Sequence, residues 1–258
     1  MNQKYFKVLV VVMALVALTS VSAYASETDS RIEASAKQSY VFKTYLNEDA
    51  INVQSVDGVV TLTGIVSEDS HKSLAKETVA NLPGVTSVDD QLTIKGDIPA
   101  ENSDGWIGTK VKTALLFHRN VNAFKTAVGV KDGVVTLKGE ASSQAQKDLA
   151  GEYAKDVDGV KDVKNEMTIA KVPENKGQTL IEKIDDASIT AQIKVALLFH
   201  RSTSAISTKV ATSYGVVTVS GEAKNEAEKT LVSKLVNDIN GVNSVVNNMT
   251  IKDSSPKA

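Results

Sequence analysis

The sequence has no cysteine. This excludes disulfides, thiolate metal sites and a lipid-modified N-terminal cysteine, and it suits an oxidising compartment, where a stray thiol is a liability. Aromatic residues make up 5% of the chain, with one tryptophan, so any core has to be built from Val, Leu, Ile and Ala. Charge of one sign is missing too: 29 basic against 31 acidic residues leave a net charge of −2. That balance gives no electrostatic basis for general nucleic-acid binding. Long hydrophobic runs are also absent. The apolar run Val8 to Leu18 follows Lys4 and Lys7 and precedes Ala23-Tyr24-Ala25. It falls well short of the ~20 residues needed to cross a bilayer. The pattern is that of a signal peptide over residues 1–25, cleaved after Ala25. Losing Lys4 and Lys7 takes the net charge from −2 to −4.

What the chain does have is a repeat. Gly58-Val59-Val60-Thr61-Leu62-Thr63-Gly64 returns as Gly133-Val134-Val135-Thr136-Leu137-Lys138-Gly139 and as Gly215-Val216-Val217-Thr218-Val219-Ser220-Gly221. In each copy a third glycine, Gly84, Gly159 or Gly241, lies 20 residues beyond the second. It opens a Gly-Val-x-x-Val stretch that ends in Thr-Ile. Such spacing marks tandem copies of one supersecondary unit. Asp57-Gly58 and Asp132-Gly133 are hairpin signals, because Asp and Gly tolerate positive φ. The glycine-framed segment is then the second strand of a hairpin and does not cradle a phosphate.

Read in order, Ser26 to about Leu46 is a helix with Ile32, Val41 and Tyr45 inward. Strands at Ala50 to Val56 and Val59 to Ile65 follow, then a helix from Ser67 to Leu82 capped by Ser67, and a strand from Val85 to Ile94. The second unit repeats this, with Asp104 capping a helix that carries Ile107, Val111 and Leu115 on one face. Its later helix, Ser142 to Val157, turns Leu149, Tyr153 and Val157 inward, and its last strand is Val160 to Ile169. Thr179 to His200 is a single longer helix opening the third unit. The expected fold is α+β: three tandem αββαβ units, each a three-stranded mixed sheet with two helices on one face. The boundaries are unit one at 26–95, a linker at 96–103, unit two at 104–170, a linker at 171–178, unit three at 179–252 and a polar tail at 253–258. The second and third units share Ala-Leu-Leu-Phe-His-Arg, at 114–119 and 196–201, which the first lacks.

The combined glycine signature in this helix and strand order resembles the BON-domain family. The resemblance covers essentially the whole mature chain. It implies a periplasmic, non-enzymatic stress protein of the osmotically inducible type that binds unfolded envelope proteins or membrane surface. It implies no cofactor and no small-molecule substrate. A structural protein–protein adaptor in the envelope is the other partner-binding reading.

The residues themselves give no catalytic constellation: no nucleophile motif, Walker loop or dinucleotide fingerprint is present. His118 and His200 occupy equivalent places, each followed by Arg, as suits the negative end of a helix. His71 falls on the polar side of another helix. Trp106 sits in the first turn of the second unit's helix, at the edge of the buried face. It is either a domain-interface aromatic or a membrane-interface anchor. Ser103 to Val111 is similar to the corresponding helix of an outer-membrane lipoprotein of the same family, which binds anionic phospholipids with its Trp in the bilayer. That resemblance makes Trp106, Lys110 and Lys112 candidate lipid-binding residues. Leu116, Phe117, Leu198 and Phe199 are candidate partner-binding residues if exposed. The simpler expectation is that the helix ends near Leu116 and that the longer loop after it covers Leu116 and Phe117.

Overall fold

The structure, a computed structural model, describes residues 27–96, 99–121, 126–170, 184–203 and 207–252. The expected signal peptide at 1–25, the expected linker at 171–178 and the expected tail at 253–258 lie outside the described residues. The first unit comprises α1 (Glu27–Gln38), α2 (Tyr40–Thr44), β1 (Ala50–Val56), β2 (Val59–Val66), α3 (Asp69–Ala80) and β3 (Ser87–Ile94). The second comprises α4 (Asp104–Phe117), β4 (Thr126–Lys131), β5 (Val134–Ala141), α5 (Gln144–Lys155), β6 (Asp162–Asn165) and β7 (Thr168–Ile169). The third comprises α6 (Asp186–Phe199), β8 (Thr208–Ser213), β9 (Val216–Ala223), α7 (Glu226–Asn237) and β10 (Ser244–Ile251).

The glycine-framed strand is central in every sheet. β2 runs antiparallel to β1 and parallel to β3, and β5 and β9 repeat both relations. Two positive-φ residues make each hairpin turn: Asp57 and Gly58, Asp132 and Gly133, Tyr214 and Gly215. That is the geometry whose twist matches paired strands. Each turn is held by a carboxylate from the opening helix. Asp29 accepts from the Asp57 and Gly58 amides at 3.1 and 3.0 Å. Asp104 accepts from Asp132 and Gly133, both at 2.8 Å. Asp186 accepts from Tyr214 and Gly215 at 2.7 and 2.8 Å.

This corrects the expected role of Asp104. Ser103 is the N-cap, accepting from the Trp106 amide at 3.3 Å, and Asp104 ties helix to hairpin. The Gly133 amide, then that of Asp132, holds its carboxyl below the usual carboxylate range, because amide donors favour the charged form.

Three further expectations change. The helix expected from Ser26 to Leu46 breaks at Ser39, which caps α2. The break is held by the third unit: the Tyr40 amide donates to Asp185 at 2.8 Å and the Val41 amide to the Ser188 hydroxyl at 3.1 Å. Ser67 does not cap α3; its hydroxyl and amide both donate to Asp49, at 2.6 and 2.8 Å. Ala150 and Ala154 of α5 join the expected inward residues: Leu149 and Tyr153 pack half-buried against the core and Val157, just past the helix, is fully buried. The last strand of the second unit is interrupted between β6 and β7, where Asn165 accepts from the Met167 amide.

The buried side chains form two clusters. One belongs to the second unit alone. The other joins the first and third units, and it also takes in Phe117 of the second. α6 lies between the units, and Ala187 through Ile193 are all buried. A helix buried on every side has neighbours on every side.

Candidate interaction surface

α4 and α6 both run through the shared motif and end at His118 and His200. The helix of the second unit has Phe117 as its last residue, near Leu116 as expected. The expectation that a local loop does the covering is wrong. Phe117 is 0% exposed, and its ring meets Tyr45 of the first unit edge-on, with centroids 5.4 Å apart. Phe199 is 5% exposed. Leu116 is half-buried against the cluster of the first and third units. Of the four residues, Leu198 alone is open, at 53%.

What covers the motif is the other copy of the motif's unit, joined at Phe117 by Tyr45 of the first unit. The Arg119 amide donates to the Asp238 carbonyl at 3.0 Å, and the Asn240 amide donates to the Phe117 carbonyl at 3.0 Å. The reciprocal pair is Arg201 amide to Asp156 carbonyl at 3.1 Å and Asp158 amide to Phe199 carbonyl at 3.5 Å. Each helix end thus forms a short bridge with the end of the other unit's second helix, His118 with Ile239 and His200 with Val157. The joint is a pseudo-twofold, self-complementary in the manner of an isologous dimer contact. The first unit lacks the motif and docks differently, through α2 and α3. Lys194 on α6 pairs with Glu77 on α3 at 2.8 Å.

His118 and His200 sit at helix C-termini as expected, but the negative end served by Arg119 belongs to its neighbour. Its guanidinium donates to the carbonyls of Asn237, Ile239 and Val242 at 2.5, 2.9 and 2.7 Å, where α7 leaves carbonyls unpaired. The joint also brings in Tyr153, expected to face its own unit's core, and two residues that sequence reasoning missed, Asp156 and Asp238. The His118 and Tyr153 rings stack at 3.6 Å between centroids. A usable signal existed, since Asp156 and Asp238 occupy equivalent positions in the two units that share the motif. His71 lies elsewhere, its Nδ1 2.5 Å from Asp49 Oδ2.

Trp106 is half-buried in a cleft of about 180 Å³ where the three units meet; Asp69, Pro99, Lys110 and Phe199 also line it. The Lys110 ammonium lies 3.4 Å from the centre of the Trp106 ring and 5.4 Å from that of Phe199. Burial lowers the pKa of Lys110, and Asp158, Glu101 and Asp69 oppose the shift. Both the ring and its nearest cation are therefore engaged inside the protein. Lys112 is exposed. Among the described residues no group of three or more His, Asp or Glu could hold a metal, and no helix is long and apolar enough to cross a membrane.

The chain is similar to osmotically-inducible protein Y of Escherichia coli, with 36% identity over 54% of this chain and 71% of that protein. It is also similar to a 21 kDa hemolysin of Actinobacillus pleuropneumoniae, at 36% identity over 46% of this chain and 62% of the relative. Outer membrane lipoprotein DolP of Haemophilus influenzae matches at 30% over 45% of this chain and 61% of the relative. The chain thus spans less than two thirds of the length of the latter two relatives. A solved C-terminal domain of CdsD from Chlamydia trachomatis overlaps at 15% identity and a TM-score of 0.23, across 86% of this chain and 95% of that one. The BON domain matches three times, at residues 28–96, 103–171 and 185–253. These segments coincide with the three helix-and-sheet units, and the chain belongs to the BON-domain family.

Proposed function

We propose that this is a periplasmic envelope protein that works without catalysis, by binding extended segments of unfolded envelope proteins. The similarity to osmotically-inducible protein Y supports the setting. The free edge of β10 carries the binding reading. Its eight residues, Ser244 to Ile251, contain no charge and no proline. They pair with β9 in unbroken register, and among the described residues β9 is the strand's one sheet neighbour. The equivalent edges are blunted: β3 carries Asp89 and Asp90, and β6 alternates Asp162 and Lys164 before its interruption. Charges and breaks keep an edge from templating foreign strands. A neutral edge offers its outward N–H and C=O groups to any extended chain. Val246 beside it is 44% exposed and gives such a chain apolar contact.

The test is dilution of a urea-denatured outer-membrane protein into buffer with or without the full chain, followed by light scattering. Wild type delays aggregation, and Val246→Lys with Asn248→Lys removes the delay. No delay with wild type refutes the reading. The other reading is docking on anionic phospholipid through α4. It draws on the similarity to outer membrane lipoprotein DolP and is opposed by the engagement of Lys110 with Trp106. Flotation with anionic vesicles at low salt, abolished by Trp106→Ala, would put it first. If both assays are negative, the adaptor reading stands.

A further inference from the structure

We propose that the joint between the second and third units is a histidine lock that opens on mild acidification. The lock is independent of what β10 binds. His118 and His200 face each other across the pseudo-twofold joint, and both side chains are almost wholly buried. The void they share with Tyr153, Phe199 and Leu235 measures about 20 Å³, room for about one water. Neither His118 Nδ1 nor His200 Nε2 has a hydrogen-bond partner. The Ser202 amide donates to His200 Nδ1 at 3.2 Å, so a second proton on that ring has to displace a hydrogen bond.

The charged groups around the pair come from every element that packs there. Asp238 at the end of α7 has a carboxylate oxygen 3.5 Å from His118 Nδ1, and Asp156 at the end of α5 has one 3.4 Å from His200 Nε2. Arg119 and Arg201 follow the two histidines in sequence, and Tyr153 stacks on His118. At His200 the Asp156 carboxylate favours imidazolium; burial, the facing His118 and Arg201 oppose it. For His200 burial is the largest influence and the net effect is a pKa below the ordinary 6.5. With the closed-state pKa depressed, the closed joint binds fewer protons than the open one. Its stability is fully present above about pH 6.5 and is lost as pH falls below that. His200, charging only on opening, raises the open-to-closed ratio by up to about tenfold per pH unit. Opening uncovers Phe117, Phe199 and Ile239, an apolar face that the closed protein hides.

The joint has its own reporters. The amides of Arg119, Asn240, Arg201 and Asp158 all donate across it. Hydrogen-exchange protection factors on the full chain, from about pH 7.5 to about pH 5, should fall together at these four amides. Amides within β1 and β2 should keep theirs. His118→Gln with His200→Gln should make the four amides insensitive to pH over that range. Unchanged protection in wild type, or an undiminished response in the double variant, overturns the proposal. Should the double variant fold poorly, Asp156→Asn decides instead. Removing the carboxylate that favours charged His200 steepens the acid response if the lock is real. A weakened response means that a salt bridge holds the joint, and the proposal fails.

Discussion

Phe117→Ala is the most informative single change. The residue is part of α4 in the second unit, yet its ring is buried with the cluster of the first and third units and lies against Tyr45. Truncating a fully buried Phe costs about 3–5 kcal/mol in transfer and cavity terms. The area route agrees: about 200 Å² of ring at about 25 cal/mol per Å² is about 5 kcal/mol, an upper figure because the unfolded chain already hides some of it. Since the second unit keeps its own core without Phe117, the loss falls on docking. About 4 kcal/mol weakens the docking equilibrium by roughly a thousandfold. Urea denaturation should be followed by two probes, the emission of Trp106 and far-ultraviolet circular dichroism. Trp106 reports the cleft where the units meet; dichroism reports all three. In wild type the two transitions coincide. In Phe117→Ala, Trp106 should respond at lower urea, with its emission shifted to the red, while most of the helix signal persists. A stability change below about 1 kcal/mol, or two probes that shift together, would refute the idea that this ring ties the units to one another.

Two more perturbations test the units themselves. Gly64 and Gly221 have φ of +123° and +124°, and an added Cβ would lie 1.9 Å from the Ala50 carbonyl oxygen and 1.8 Å from that of Ser207. Alanine at either site should therefore cost more than the ~1–3 kcal/mol of backbone strain alone and separate the hairpin strands, read as lost amide protection along β1 or β8; wild-type protection would contradict this. Asp104→Asn should loosen the Asp132-Gly133 turn and speed amide exchange at both residues. Because the Asp104 pKa is depressed, wild type keeps this tie above the ordinary carboxylate value of 3.8 and loses it as pH falls through the lower folded value. The variant should show no such acid step at those two amides.

Local rules made each unit legible. The alternation in β1 and β2, the Asp-Gly turns and the recurring glycines depend on residues a few positions apart, and the sheets and their central strands follow from them. The third turn, Tyr214-Gly215, needed only the repeat to be recognised. Ser67 misled for a related reason: its capping propensity was sound, but Asp49 captured it. The break of the first helix at Ser39 was not legible because Asp185 and Ser188, which hold it, lie in the third unit. The Asp104 carboxylate was read as a cap because its true partners lie 28 and 29 residues on.

The motif shared by the second and third units shows where the sequence stops. Its repetition was plain, and its burial by a distant partner was not. Arg119 finds its carbonyls 118 to 123 residues away, a separation at which periodicity carries no information. α6 did leave a trace: between Asp186 and Phe199 it has one basic residue, Lys194, where α4 has Lys110 and Lys112. A helix so short of charge implies cover on all sides without naming what covers it. The sequence by itself determined three small α+β units, their order and their turns, because hydrogen-bonded ladders and helix faces are set by neighbouring residues. The tertiary structure alone decided that the units close on one another, that Trp106 turns into their cleft and that two histidines meet across a joint. Those facts depend on shape and charge matching between surfaces that the chain brings together only after each unit has formed.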